Sequence, residues 1–263
     1  MLSRRALPAL ALLAPIAARA QEAALDALLA RYLVMPADGV ARVRYADWKS
    51  SAADRAALEA WIAEAETRRP SEMPRNEAFA YWANLYNAVT LKLILDHHPV
   101  RSIRDIRSTG VGLDPRQFSG PWRTRLVRVE GRAMSLDNIE HDIMRPSFRD
   151  PRVHYAVNCA SIGCPNLRPR AWRAATLEAE LDAAARDFVN HPRGAWLRTD
   201  GGLRVSSIYR WFHEDFGNSD AGVIAHLRRH AAPELAARLA GVTRIAEDAY
   251  DWSLNDAAKP PRS

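Results

Sequence analysis

A chain of 263 residues, 48% apolar and 26% charged, is long enough to bury a sizeable core and too apolar to stay disordered. Its formal charge of +6 comes from 37 Lys and Arg against 31 Asp and Glu, and only Lys49, Lys92 and Lys259 are lysines. The arginines are spread along the chain and not gathered into a basic face, so no nucleic-acid partner is expected.

The chain begins "MLSRRALPALALLAPIAARA", in which Arg4 and Arg5 precede an apolar run from Ala6 to Ala18. That run is shorter than the roughly 20 residues a membrane helix needs, and Ala18-Arg19-Ala20 supplies a small-x-small cleavage pattern. Residues 1–20 therefore read as a bacterial signal peptide, and residues 21–263 as one exported globular domain, periplasmic or secreted. Removing Arg4, Arg5 and Arg19 lowers the net charge to +3, from 34 basic and 31 acidic residues. No later segment is apolar enough to span a membrane, so the mature chain is expected to be soluble.

Helical periodicity covers 22–33, 51–68 and 76–97. A loop rich in Gly and Pro follows over 107–122, then a strand at "TRLVRVEG", with its arginines on the wet face. A short helix is expected near 135–145 and a second strand at "VHYAVNC", residues 153–159. Helices return at 176–191, 206–215, 219–229 and 233–240. The pattern predicts an α+β fold, a helix-rich single domain around a small central, mostly antiparallel sheet.

Three stretches carry residues that such a scaffold alone does not require. The helix over 76–97 is apolar on nearly every side, yet it bears Asn84 and Asn87 on a small-residue surface. Buried amides need partners, so they either tie the helix to a neighbouring backbone or line a site and bind or orient a ligand. In "SLDNIEHDIM", Ser135 is a good N-cap and Glu140 falls inside the stripe of Leu136, Ile139, Ile143 and Met144, where a carboxylate must be paired or protonated. His141 lies further toward solvent. Finally, "HYAVNCASIGCPNL" holds both cysteines of the chain, Cys159 and Cys164.

On a regular strand His154, Ala156 and Asn158 share one face and Cys159 the other, so His154 meets Cys159 only if the chain turns at Asn158. A cysteine beside an imidazole is activated as a thiolate, the requirement of a cysteine hydrolase or transferase. A Cys159–Cys164 disulfide and two inert core thiols are competing readings. A metal site from Glu140, His154, Cys159 and Cys164 lacks the spacing that makes such sites recognisable, and neither a metal nor a cofactor is expected.

The segments "FAYWANLYNAVTLKLILDHHPVRSIRDI", "MSLDNIEHDIMR", "RVHYAVNCASIGCPNL" and "SSIYRWFHEDFG" together resemble the DUF547 family, a domain of unknown function, over about residues 75–217. Residues 218–263 would then form a helical extension. The resemblance implies a shared set of Asn84, Asn87, Glu140, His154, Cys159 and Pro165. Plant members of the family carry leucine-zipper segments and some lack the second cysteine, which ranks Cys159 above Cys164; no zipper is present here. In outline the order of a buried helix and a small sheet bearing a histidine is also similar to papain and transglutaminase-like enzymes, which place their cysteine at the helix start, where this chain has none. The expected site is thus Cys159, His154 and Glu140 as catalytic residues, with Asn84, Asn87, His141 and Asn158 as binding residues. Its substrate would be an unidentified small molecule or peptide carrying an amide. A non-enzymatic ligand- or protein-binding domain with a structural polar core is the alternative.

Overall fold

Residues 10–107 and 120–258 are described by the computed structural model, with side chains from residue 19 onward. The expected loop over 107–122 lies mostly outside the described residues, as do the first residues of the expected signal peptide.

The first half of the chain is a helical layer. Helix α1 (Leu10–Tyr32) leads through strands β1 (Leu33–Val34) and β2 (Arg42–Val43), an antiparallel pair, into α2 (Tyr45–Ser50) and α3 (Ala52–Glu66). Ser51 starts α3 by accepting a hydrogen bond from the Asp54 N–H at 3.2 Å. Helix α4 (Arg75–His97) begins after Pro74, which is pre-set for a helix start, and stops before Pro99, which cannot continue one. It is buried from Ala78 to Leu91 and again from Leu93 to Leu95, so it runs through the middle of the fold as a core helix.

The strand expected at "TRLVRVEG" is β3 (Val127–Val129), and it pairs with β4 (Arg132–Met134) in a hairpin, with Val127 and Val129 buried and Arg128 exposed. Glu130 and Gly131 turn it at φ 47° and 78°, the left-handed pair that matches the twist of a two-residue hairpin. A π-helical segment, Asn138–Met144, then runs into α5 (Arg145–Phe148).

The segment expected to be the second strand is helical. Residues Val153–Ala156 form a single turn, α6, secured by Val153 N–H to Asp150 O at 3.1 Å and His154 N–H to Pro151 O at 3.2 Å. Every residue from Val153 to Asn158 is buried, so there is no alternation from which to read a strand, and local hydrogen bonding decides.

The second half comprises α7 (Leu177–Val189), β5 (Ala195–Leu197), β6 (Leu203–Ser206), α8 (Ile208–Trp211), α9 (Asp220–His230), α10 (Pro233–Leu239) and β7 (Ile245–Ala249). The helix expected over 206–215 is broken, because Ser206 ends β6 and α8 is followed by a 3-10 turn, His213–Phe216. Strand β6 pairs antiparallel with β5 and parallel with β7. The fold is therefore α+β and helix-rich, and among the described residues its short and mostly antiparallel strands are divided among three small sheets. The apolar residues form two clusters, one around α4 and one between α7, α9 and the β5–β7 sheet. Helix α6 sits at their junction, since Val153 and Ala156 pack in the first cluster and Tyr155 in the second.

Candidate functional site

Asparagine side chains build the loop that carries the cysteines. Asn87 of α4 donates to Ala156 O at 2.9 Å and accepts from Asn158 N–H at 2.8 Å, so it fixes the chain at the exit of α6. Asn84 does the same for Trp172, through N–H to carbonyl at 2.9 Å and carbonyl to N–H at 2.8 Å. Asn158 closes the loop on itself, donating to Pro165 O at 2.8 Å and accepting from Ala160 N–H at 2.8 Å. That last bond holds Ala160 at φ 60°, a left-handed conformation that costs a non-glycine residue roughly 1 kcal/mol or more. Arg193 clamps the far side through Ile162 O at 2.8 Å and Cys164 O at 2.6 Å. All three asparagine amides are thus occupied by backbone, and these residues position the loop.

The result of this folding is a thiol pair. Cys159 and Cys164 are free, with their Sγ atoms 2.6 Å apart. The Cys159 N–H donates to Cys164 Sγ at 3.1 Å, and the Tyr250 hydroxyl lies 3.0 Å from Cys164 Sγ and 3.1 Å from Cys159 Sγ. Ser161 Oγ lies 3.3 Å from Cys159 Sγ. Burial alone would raise the Cys164 thiol, but hydrogen bonds from Cys159, Tyr250, Ser161 and the Cys159 N–H bring it down to about 6. The Cys159 thiol is pushed up, by its hydrogen bond to Cys164 and by burial. The two shifts run in opposite directions, Cys164 being favoured as the thiolate and Cys159 as the thiol.

Tyr250 reaches the thiols because Gly163 makes room. A Cβ at Gly163 would lie 2.9 Å from the Tyr250 ring and 2.9 Å from Asp251 N. The segment after β7 packs along the cysteine loop, with Ile162 N–H to Ser253 O and Gly163 N–H to Asp251 O both at 2.8 Å.

A second polar group stands in the same pocket. His154 places Nε2 2.7 Å from Asp215 Oδ2 and Nδ1 3.6 Å from Glu140 Oε1. Burial opposes its charge, yet the bonds and charges of Asp215 and Glu140 raise its pKa above the ordinary histidine value. Burial likewise opposes ionised Glu140, and the histidines His154 and His141 together with Tyr86 hold its carboxyl below the usual range. Asp215 also accepts from Arg145 Nε at 2.6 Å. Phe212 stacks on the His154 ring at 4.2 Å and 16°, fixing its plane. Glu140 lies in the π-helical segment, and such wide turns often occur at functional sites.

Both groups line one cavity of about 420 Å³, whose remaining wall includes Tyr86, Arg104, Trp122, Trp211, Tyr250 and Trp252. His154 and Cys159 thus share a pocket, although no hydrogen bond joins them and both nitrogens of His154 face carboxylates. His141 also lines the pocket, with Nε2 3.9 Å from Asp137 and Nδ1 shielded from solvent without a partner. Among the described residues no cluster of three or more His, Cys, Asp or Glu side chains is arranged to hold a metal ion.

Residues 70–189 match the family model described as protein of unknown function, DUF547. The chain carries a DUF547 domain. Comparison with curated proteins and with solved structures gives no match. The DUF547 match holds Asn84, Asn87, Glu140, His141, His154, Asn158 and both cysteines, but the site extends beyond it, to Asp215, Trp211, Tyr250 and Trp252. Sequence reasoning missed Asp215, which sits in the quoted "SSIYRWFHEDFG" segment, and Tyr250, which lies on a strand exit too short to be seen. Tyr86 lies on α4, where a helix apolar on nearly every side gave it no separate signal.

Proposed function

We propose that the pocket is a thiol-dependent acyl-transfer site, a hydrolase or transferase of a peptide-like amide, with Cys159 as nucleophile. The observation that carries this reading is the thiol pair, in which the more accessible Cys159 lies 2.6 Å from a Cys164 sulfur favoured as thiolate. The Cys159 proton passes to Cys164, and the Cys159 sulfur bonds to the carbonyl carbon. The carbon–nitrogen bond then breaks, and the leaving amine takes the proton from Cys164. Water or a second nucleophile releases the acyl group from the thioester. His154 is not the base, since Glu140 and Asp215 face its two nitrogens. Incubation with p-nitrophenyl acetate tests this reading. One acyl group should map to Cys159 and be lost in Cys159→Ala; acylation elsewhere, or none, would refute it.

A second reading, a non-enzymatic binding pocket, is favoured by the commitment of Asn84, Asn87 and Asn158 to backbone. It predicts that no thioester forms and that Cys159→Ala binds ligand as well as the parent chain does.

We also propose export with cleavage after Ala20. Arg19 and Ala20 are exposed, whereas Gln21 is buried at 4%, and its carbonyl accepts from Trp61 Nε1 at 2.8 Å. Among the α1 side chains that are described, Gln21 is the first that is buried, next to the proposed cleavage point. No helix among the described residues is long and apolar enough to cross a membrane.

A further inference from the structure

The polar groups that line the pocket are nearly all committed to one another. Glu140 and His154 are paired, and Tyr250 and the cysteines form one hydrogen-bonded set. Besides the unpartnered Nδ1 of His141, the pocket is lined by the exposed Arg104, for which no carboxylate or carbonyl partner is found among the described residues. Its guanidinium carbon lies 5.3 Å from the centroid of the Trp252 ring. Such stacking holds a guanidinium in place by its face and leaves the N–H edge free to donate.

Trp252 belongs to an aromatic wall. Its ring lies 4.6 Å from Tyr250, 5.4 Å from Trp211 and 5.6 Å from Trp122, and Trp211 is 47% exposed. Indole surface left in contact with solvent around a pocket is typical of a ligand platform. The wall meets the thiol pair directly, because the Tyr250 hydroxyl is within 3.1 Å of both sulfurs.

From this juxtaposition we infer that the pocket selects a ligand with an apolar or aromatic body and a carboxylate, the body lying on the Trp211–Trp252 wall and the carboxylate on Arg104. This builds on the acyl-transfer reading by naming its substrate class, a peptide-like amide with a free carboxylate beside a ring or branched side chain. Arg104 is a specificity residue, and recognition at it does not require a reactive thiol.

The probes that test it are N-acetyl-L-phenylalanine and its C-terminal amide, equal in ring and differing in charge. Titration into the full chain is followed by tryptophan fluorescence. The carboxylate should bind roughly tenfold more tightly than the amide, the scale of one charge-assisted hydrogen bond. Arg104→Met should bring the carboxylate to the level of the amide and leave the amide unchanged. Equal binding of the two probes, a preference that survives Arg104→Met, or no saturable binding of either would overturn the inference. Because Cys159 acylation is measured separately, failure here leaves the thiol reading standing, and failure there leaves this one.

Discussion

Replacing Asp215 by Asn keeps the shape of the side chain and removes the charge that faces His154 Nε2 at 2.7 Å and Arg145 Nε at 2.6 Å. Burial would raise the Asp215 carboxyl, but hydrogen bonds from His154 and Arg145 hold it down, from 3.8 to about 2. A drop of that size corresponds to roughly 2.5 kcal/mol. Asp215 remains partly exposed, so solvent screening reduces the expected contribution to about 1 kcal/mol. A carboxyl with a lowered folded-state pKa stabilises above its unfolded value and loses that effect as pH falls through the folded value. Urea unfolding should therefore find Asp215→Asn about 1 kcal/mol less stable near neutral pH, and the gap should close as pH falls from about 4 toward 2. His154 behaves oppositely, because its pKa is raised: its contribution is complete below the ordinary histidine value and is lost as pH rises through the folded one. In the variant, NMR should show His154 losing its proton at lower pH. A stability gap unchanged between neutral and acid pH, or an unmoved His154 titration, would refute the pairing described.

Asn87→Ala leaves the buried Asn158 N–H without its acceptor, while Ala156 O keeps Trp172 Nε1 at 3.1 Å, so thermal or urea unfolding should show a loss of about 2 kcal/mol. Gly163→Ala should displace the Tyr250 ring and with it a hydrogen bond to Cys164, so the thiolate absorbance of the pair should appear at higher pH than in the parent chain. Mass spectrometry of the exported protein should find Gln21, intact or cyclised, at the N-terminus; a chain retaining Leu7 to Leu13 would contradict the proposed cleavage.

The long elements were legible in the sequence because their periodicity reflects burial. Helix α4 was readable as a core helix from its apolar faces, and strand β3 from arginines alternating with valines, while its partner β4 was not. The turn at α6 was not, since a run buried from Val153 to Asn158 carries no periodic signal. Strands β5, β6 and β7 span three to five residues each, too few for a pattern. Glu140 was recognisable as a carboxylate inside an apolar stripe, but its relation to Asp215, 75 positions away, is set by tertiary packing alone. Likewise the meeting of Cys159 and Cys164 depends on Asn158 holding Ala160 in a left-handed conformation, which residue types do not announce.

The account turns on Cys164 accepting the proton of Cys159, and the pH dependence of Cys159 alkylation by iodoacetamide measures this. In the parent chain the rate should rise through about pH 6, where Cys164 ionises and becomes able to accept the Cys159 proton. In Cys164→Ser that rise should be absent, because no Cys164 thiolate remains to take the proton and Cys159 is still buried. The same profile in both chains, or alkylation only after a reductant is added, would contradict the account.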